Sequence, residues 1–264
     1  MPEKIDLSLV LACYNDAEYL EDSVNEIFKV LDLTKLEYEV IFVYDCGTDN
    51  SMAVIDKIAD KYKNVKRIKK IVHTRNEGRG KSVRDGFCVA SGDVIGYIDV
   101  DLDVHPRHIP YMYSTIIDDK YDVATAFRYY KVTMSPIFIL RHVMSHGYRF
   151  ISRMLLHESL MDSESGYKFF RREKVMPLVN ISRYDGWFWD TEIMAYSIYG
   201  GLRIKEIACV FDRRGDKKSS VRIFDTVFSY FKALVEFKIY LMRHEKELLE
   251  KIKTDNTAVI KERR

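Results

Sequence analysis

Cysteine is scarce in this chain of 264 residues: Cys13, Cys46, Cys88 and Cys209 are the only four, with no CxxC spacing and no histidine partner close by. That argues against a zinc site and a secreted disulfide framework, and it fits a reducing compartment. Glycine and proline are also few, 12 and 5 residues, which closes the collagenous and low-complexity classes. Net charge is almost absent: 42 lysines and arginines face 40 acids, and the balance of +2 gives no global signal for nucleic acid or an acidic partner. Long apolar runs are missing as well. No stretch reaches the roughly 18 uncharged apolar residues of a membrane-spanning helix. The richest candidates fail, because 137–151 contains Arg141 and Arg149, and 223–242 contains Asp225, Lys232, Glu236 and Lys238. Met1 to Asp6 lacks the apolar core of a signal peptide. Lying on a bilayer stays open.

What is present is a buried core, since 47% of residues are apolar and 31% charged. Short runs rich in Val and Ile, at 7–12, 39–44, 65–72 and 94–98, read as strands, and 18–31, 51–62 and 81–90 read as the helices between them. Such alternation predicts a mostly parallel α/β sheet covered on both faces, with ligands at the carboxyl ends of the strands. Polar residues gather at those ends. Beyond Phe127 the pattern changes: a basic, aromatic helical stretch at 139–156, a short strand or turn at 166–170, a helix at 188–199, a strand at 203–211, and a long amphipathic helix over 222–253, broken near His244. Within that last helix Ile223, Phe224, Val227, Phe228, Phe231, Leu234 and Val235 share one broad face. It suits the sheet, a second subunit in a homodimer, or a membrane. The chain divides into a domain at 1–220 and this helical segment at 221–264, with no internal repeat.

Asp99, Asp101 and Asp103 directly follow the strand at 94–98. In an extended chain alternate residues point the same way, so the sequence predicts three converging carboxylates. Acids so placed repel one another until a cation or protons neutralise them, and an all-oxygen set suits Mg²⁺ or Mn²⁺. An isolated DxD is otherwise a solvated acidic loop.

These residues also carry a family pattern. Leu11-Ala12-Cys13-Tyr14-Asn15-Asp16, Val43-Tyr44-Asp45-Cys46-Gly47-Thr48-Asp49-Asn50-Ser51, Asn76-Glu77-Gly78-Arg79-Gly80-Lys81 and the Asp99 cluster, in that order, resemble glycosyltransferase family 2. More narrowly, residues 5–235 resemble its dolichol- or polyprenol-phosphate sugar synthase branch. The resemblance implies a GT-A fold, Rossmann-like, binding a GDP- or UDP-linked sugar through a divalent cation, Mg²⁺ or Mn²⁺, held by Asp99, Asp101 and Asp103. It implies donor contacts from Ala12, Tyr14, Asn15, Glu18, Asp45, Asn76, Gly78, Lys81, Asp99 and Asp162, and from Arg213 and Arg214 in a basic loop. Tyr44 and Cys46 depart from the family's second motif, where an acid and a glycine are usual. Local readings compete: Asp49 can cap the helix at Ser51, Gly78 and Gly80 can be a flexible turn, and the cations of 65–84 can be mostly solvated.

Between Arg128 and His157 there are five Lys or Arg residues, three histidines and no acid. Arg141 and Ser145 lie one helical turn apart beside Ile137, Phe138 and Ile139, a pattern suited to a lipid phosphate at a membrane surface. By resemblance Arg128, Arg141 and Ser145 bind the acceptor phosphate, and Asp190 or Glu192, with Glu192 the closer match by register, sits near the reacting centre. A capping role for Asp190 and an arginine partner for Glu192 stay open. The expected activity is inverting hexosyl transfer to a polyprenyl phosphate, with Asp101 and the arginines catalytic, by a peripheral enzyme on the cytoplasmic face of an anionic membrane. Transfer to a sugar hydroxyl, or a catalytically silent homologue, are the alternatives. Nucleic acid is not an expected partner.

Overall fold

The computed structural model describes residues 4–130, 147, 151–156, 160–212, 229–244, 247–248 and 250. Seven strands form one sheet: β1 (Leu7–Cys13), β2 (Tyr38–Tyr44), β3 (Arg67–Val72), β4 (Val94–Ile98), β5 (Val123–Tyr130), β6 (Tyr167–Arg171) and β7 (Ile204–Phe211), in the order β3-β2-β1-β4-β6-β5-β7. β1, β2, β3 and β4 run parallel; β6 is antiparallel to both its neighbours, and β5 is parallel to β7. The sheet is therefore mostly parallel, as the alternating pattern predicts.

Each face carries its own core. On one, α1 (Leu20–Asp32), α2 (Ser51–Tyr62) and α4 (Ile109–Ile117) set Val24, Ile27, Phe28, Ile55, Ile58 and Met112 against Leu9, Leu11, Val40 and Phe42. On the other, α3 (Arg79–Val89), α5 (Arg172–Ile181) and α6 (Trp189–Tyr199) bring Val83, Phe87, Leu178, Trp189 and Ile193 onto Val10, Ile41, Val43 and Tyr97. Strands covered on both sides need apolar side chains in both directions, which is why β1, β2 and β4 read as continuous apolar runs. β3, at the edge, is half exposed and carries Arg67, Lys69 and Lys70, charges that discourage strand pairing with another chain.

The helical residues 229–244 bury Leu234, Phe237 and Leu241 in the second core, with Phe237 edge-on to Tyr184, Phe188 and Tyr196. Phe231, on the same broad apolar face of the predicted helix as Leu234, is 43% exposed. Ile223, Phe224, Val227 and Phe228 lie outside the described residues, as does most of 139–156. Among the described residues no helix is long and apolar enough to cross a membrane.

Candidate active site

Because β1, β2, β3 and β4 are parallel, their carboxyl ends and the loops that follow share one edge of the sheet. Two of these loops are tied together by side chains from the first and second motifs. Asn15, held at φ 56°, accepts hydrogen bonds through Oδ1 from the amides of Thr48 (2.6 Å) and Asp49 (3.3 Å). Asp49 accepts from the amides of Ser51 (2.9 Å) and Ala17 (2.8 Å), so it both starts α2 and fastens the first loop. Cys46 stands at φ 52°, a left-handed conformation that explains why glycine suits this position. Tyr14, Glu18 and Asn76 are exposed around this edge, and Ala12 is half-buried.

Asp45 is placed differently from the donor contact expected of it. It is 3% exposed, and its carboxylate accepts from the amides of Glu77 (2.7 Å) and Gly78 (2.9 Å) and meets His73 Nδ1 at 2.7 Å. The other imidazole nitrogen lies 3.1 Å from Asp85, which in turn pairs with Lys81. Asp45 thus holds the third loop in shape from within, and His73, which carries no motif signal, completes the clamp. Gly78 and Gly80 are close-packed rather than loose: a Cβ on Gly78, itself at φ 99°, would lie 2.5 Å from the Asp185 carbonyl, and one on Gly80 would lie 2.4 Å from Trp189 Cβ.

The acidic loop departs from the predicted alternation. Val100 is buried, the Leu102 amide donates to the Asp99 carbonyl (3.2 Å), and Leu102 adopts φ 54°. A turn replaces the extended segment, so the three acids do not share a face. Asp103 lines a cavity of about 1000 Å³ beside α1, with Asp22, Glu26, His105 and Arg107. Among the described residues no three His, Cys, Asp or Glu side chains converge as a metal cage. The three acids therefore do not converge as the sequence predicts. Asp99 and Asp101 still feel each other's charge: burial raises Asp99 above the usual carboxylate range, Arg79 opposes the rise, and Asp101 and Asp190 add to it. Two oxygen donors at a strand end fit a hard divalent cation that completes its shell with phosphate oxygens. Gly166 keeps the place open, since a Cβ there would stand 1.9 Å from Asp99 Oδ2.

Behind this pair lies a buried knot of charge. Arg79 donates to Asp99 Oδ1 from Nε (3.0 Å) and Nη2 (2.5 Å), and to Asp190 Oδ2 from Nη1 (2.6 Å). Tyr97 donates its hydroxyl to the other Asp190 oxygen, and fully buried Lys168 lies 3.5 Å from it. Burial depresses the Lys168 ammonium below its ordinary value, with Asp190 and Asp162 pulling the other way. Arg79, Lys81 and Arg84 are therefore ion-paired, to Asp99 and Asp190, Asp85 and Asp185, instead of solvated.

Glu192 goes elsewhere. Two residues along a helix turn a side chain about 200° around the axis, so it cannot accompany Asp190. It is fully buried and accepts from the amides of Arg183 (2.9 Å) and Tyr184 (3.0 Å), neither the reacting-centre position nor the arginine side-chain pairing. Burial raises its carboxyl to about 7. Arg128 and Asp162, expected on the acceptor and donor sides, meet as a bidentate pair: Arg128 Nε and Nη2 lie 2.6 Å and 2.8 Å from the buried carboxylate. Arg141, Ser145, Arg213 and Arg214 lie outside the described residues.

The family model for glycosyl transferase family 2 matches residues 8–178. Among curated proteins, glycosyltransferase AglD of Haloferax volcanii is 29% identical over 217 residues, 81% of this chain and 34% of the relative. The dolichol-phosphate mannosyltransferase of Pyrococcus furiosus is 31% identical over 176 residues, 64% of this chain and 47% of the relative. The dolichyl-phosphate beta-glucosyltransferase of Saccharomyces cerevisiae is 24% identical over 221 residues, 78% and 66% of the two chains. The chain thus spans between a third and two thirds of these relatives' lengths. Among solved structures, glucosyl-3-phosphoglycerate synthase from Mycobacterium tuberculosis, in complex with Mn²⁺, UDP and glucosyl-3-phosphoglycerate, superimposes with a TM-score of 0.64 at 17% identity, covering 89% of this chain and 80% of that one. The likeness gives the GT-A fold.

Proposed function

Because the chain belongs to glycosyl transferase family 2, we propose that it moves a hexose from a GDP- or UDP-linked sugar to a polyprenyl phosphate, inverting the anomeric carbon. One observation carries this reading: the site's acids are divided between two roles. Asp99 and Asp101 are partly exposed at the carboxyl end of β4, whereas Asp190 and Glu192 are buried and committed to internal partners. A hydroxyl acceptor requires a base to remove its proton, and the two acids that the sequence offers for that task are engaged inside the protein. A phosphate monoester needs no base, being already anionic near neutral pH with a second pKa of about 6. The names of the Pyrococcus and yeast relatives, both dolichol-phosphate glycosyltransferases, support the same acceptor class.

In this reading Asp99 and Asp101 hold a divalent cation, Mg²⁺ or Mn²⁺. When bound, it supplies charge stabilisation to the departing diphosphate. The Asn15, Asp49 and Asp45 hydrogen bonds hold the three donor loops in register before the donor arrives. Arg141 and Ser145 orient the acceptor phosphate, and Arg128, held on its Asp162 fork, joins them in that role. Arg213 and Arg214 follow Asp212 in the sequence; Val104 bridges to Phe211, and the Asp212 amide donates to the Asp103 carbonyl at 2.8 Å. The basic loop therefore starts beside the acidic one, where positive charge opposes the leaving group's negative charge. Residues 1–220 carry the catalytic machinery and 221–264 form a second segment, whose residues 229–244 pack on the first, and the enzyme works from the cytoplasmic face of an anionic membrane.

The test is Asp101→Asn. It removes one carboxylate from the pair without touching a core side chain, and should abolish both transfer and cation-dependent nucleotide binding at an unchanged melting temperature. Full turnover in the presence of EDTA would contradict the cation's role.

A further inference from the structure

Arg79 is a charged residue at this site for which the proposed reaction has no use, and it is tightly held. Its side chain is 10% exposed. The guanidinium spans Asp99 and Asp190 and lies over two rings, 5.4 Å from the Tyr97 centroid and 4.9 Å from that of Trp187. Asp190 is fixed in turn by the Tyr97 hydroxyl and Lys168. Arg79 therefore cannot leave Asp99 without giving up contacts on three other sides.

Asp99 is nevertheless one of the two acids assigned above to the divalent cation. Its side chain is 40% exposed, so a cation can reach it from solvent, but would meet a guanidinium already bonded to the same carboxylate. Two cations on one carboxylate repel unless further anionic oxygens lie between them. A nucleoside diphosphate brings those oxygens. We infer that Arg79 is a positioning residue that serves as a resident counter-cation: it neutralises Asp99 in the empty enzyme and makes divalent-cation binding depend on the donor diphosphate. Cation and nucleotide then tighten each other reciprocally. The inference rests on the cation site of the proposed function.

The experiment is calorimetric titration of Mn²⁺ into the purified chain, alone and with saturating UDP or GDP, for wild type, Arg79→Gln, Arg79→Met and Arg79→Lys. The readout is binding, not turnover. Wild type should bind Mn²⁺ weakly alone and much more tightly with nucleotide. Removing a charge-assisted contact to Asp99 should tighten Mn²⁺ binding alone by about ten- to a hundredfold in Arg79→Gln and shrink the nucleotide's effect correspondingly. Arg79→Met, whose apolar stem keeps the packing on Tyr97 and Trp187, repeats the test should the glutamine variant fail to fold. Arg79→Lys, which retains the charge and loses the fork, should lie between. A folded neutral variant that binds Mn²⁺ no tighter than wild type, while wild type keeps its nucleotide-enhanced binding, overturns the inference and leaves the transferase reading standing. No Mn²⁺ binding by any of the proteins, with or without nucleotide, overturns both.

Discussion

At the scale of single residues, the site separates acids that look equivalent in sequence. Asp190 and Glu192 are two positions apart, yet one shares Arg79 with Asp99 and the other closes the turn at 183–184. Glu192 gives a prediction in pH. Its carboxyl is raised by burial from 4.5 to about 7, against two amide bonds that favour the ionised form. A proton therefore binds the native state more tightly than the unfolded one. The stability this contributes is complete below pH 4.5 and is lost as pH rises through about 7, a change of order 3 kcal/mol. Urea midpoints measured from pH 5 to 8 should fall for wild type, and Glu192→Gln should lack that component of the slope. Identical slopes would mean that Glu192 does not titrate in this window. Arg141 provides the second prediction at this scale. Arg141→Ala removes a charge-assisted contact of about 1.5–3 kcal/mol and should cut acceptor use about ten- to a hundredfold. Donor affinity by calorimetry and melting temperature should stay unchanged, and lysine should rescue only in part. Equal loss on donor and acceptor sides would point to a structural role.

At the scale of elements, the strands and helices of the first hundred residues are legible in the sequence because burial on both sheet faces forces continuous apolar runs, as in Val40, Ile41, Phe42 and Val43. β5 carries no such run. It is buried through Ala124, Thr125 and Ala126, small residues that make no continuous bulky apolar run. α5 hides behind Pro177, which stands inside the helix, and α4 opens on Ile109-Pro110 with no capping side chain. Motif order located the candidate site, but side-chain direction did not follow from it. Alternation assumes an extended chain, and the turn from Asp99 to Leu102 breaks that assumption and sends Asp103 to the α1 side. The Arg79 knot was hidden for another reason: its partners Asp99, Tyr97, Lys168 and Asp190 are distant in sequence, and the high density of cations from 65 to 84 made solvation the simpler expectation.

At the scale of the whole molecule, a near-neutral chain works through local charge. The helical residues 229–244 bury one side in the core and leave Phe231, Ile239 and Met242 exposed, next to Lys232, Lys238 and Arg243. Apolar side chains with cations beside them suit shallow contact with an anionic surface, in which both burial and charge contribute. The protein should bind phosphatidylserine-containing vesicles reversibly in a sedimentation assay, with the bound fraction falling as salt shortens the screening length. Equal binding to neutral and anionic vesicles at every salt concentration would contradict this.

The most direct test of the central claim is a product measurement. Purified protein is incubated with a short polyprenyl phosphate, Mg²⁺ or Mn²⁺, and a panel of GDP- and UDP-sugars, and the lipid fraction is weighed by mass spectrometry. The expected result is one polyprenyl species heavier by a single hexose, formed from one donor class and absent when EDTA is added or Asp101→Asn replaces the wild type. Recovery of hexose only on sugar hydroxyls, with the polyprenyl phosphate unmodified under every donor, would contradict the account.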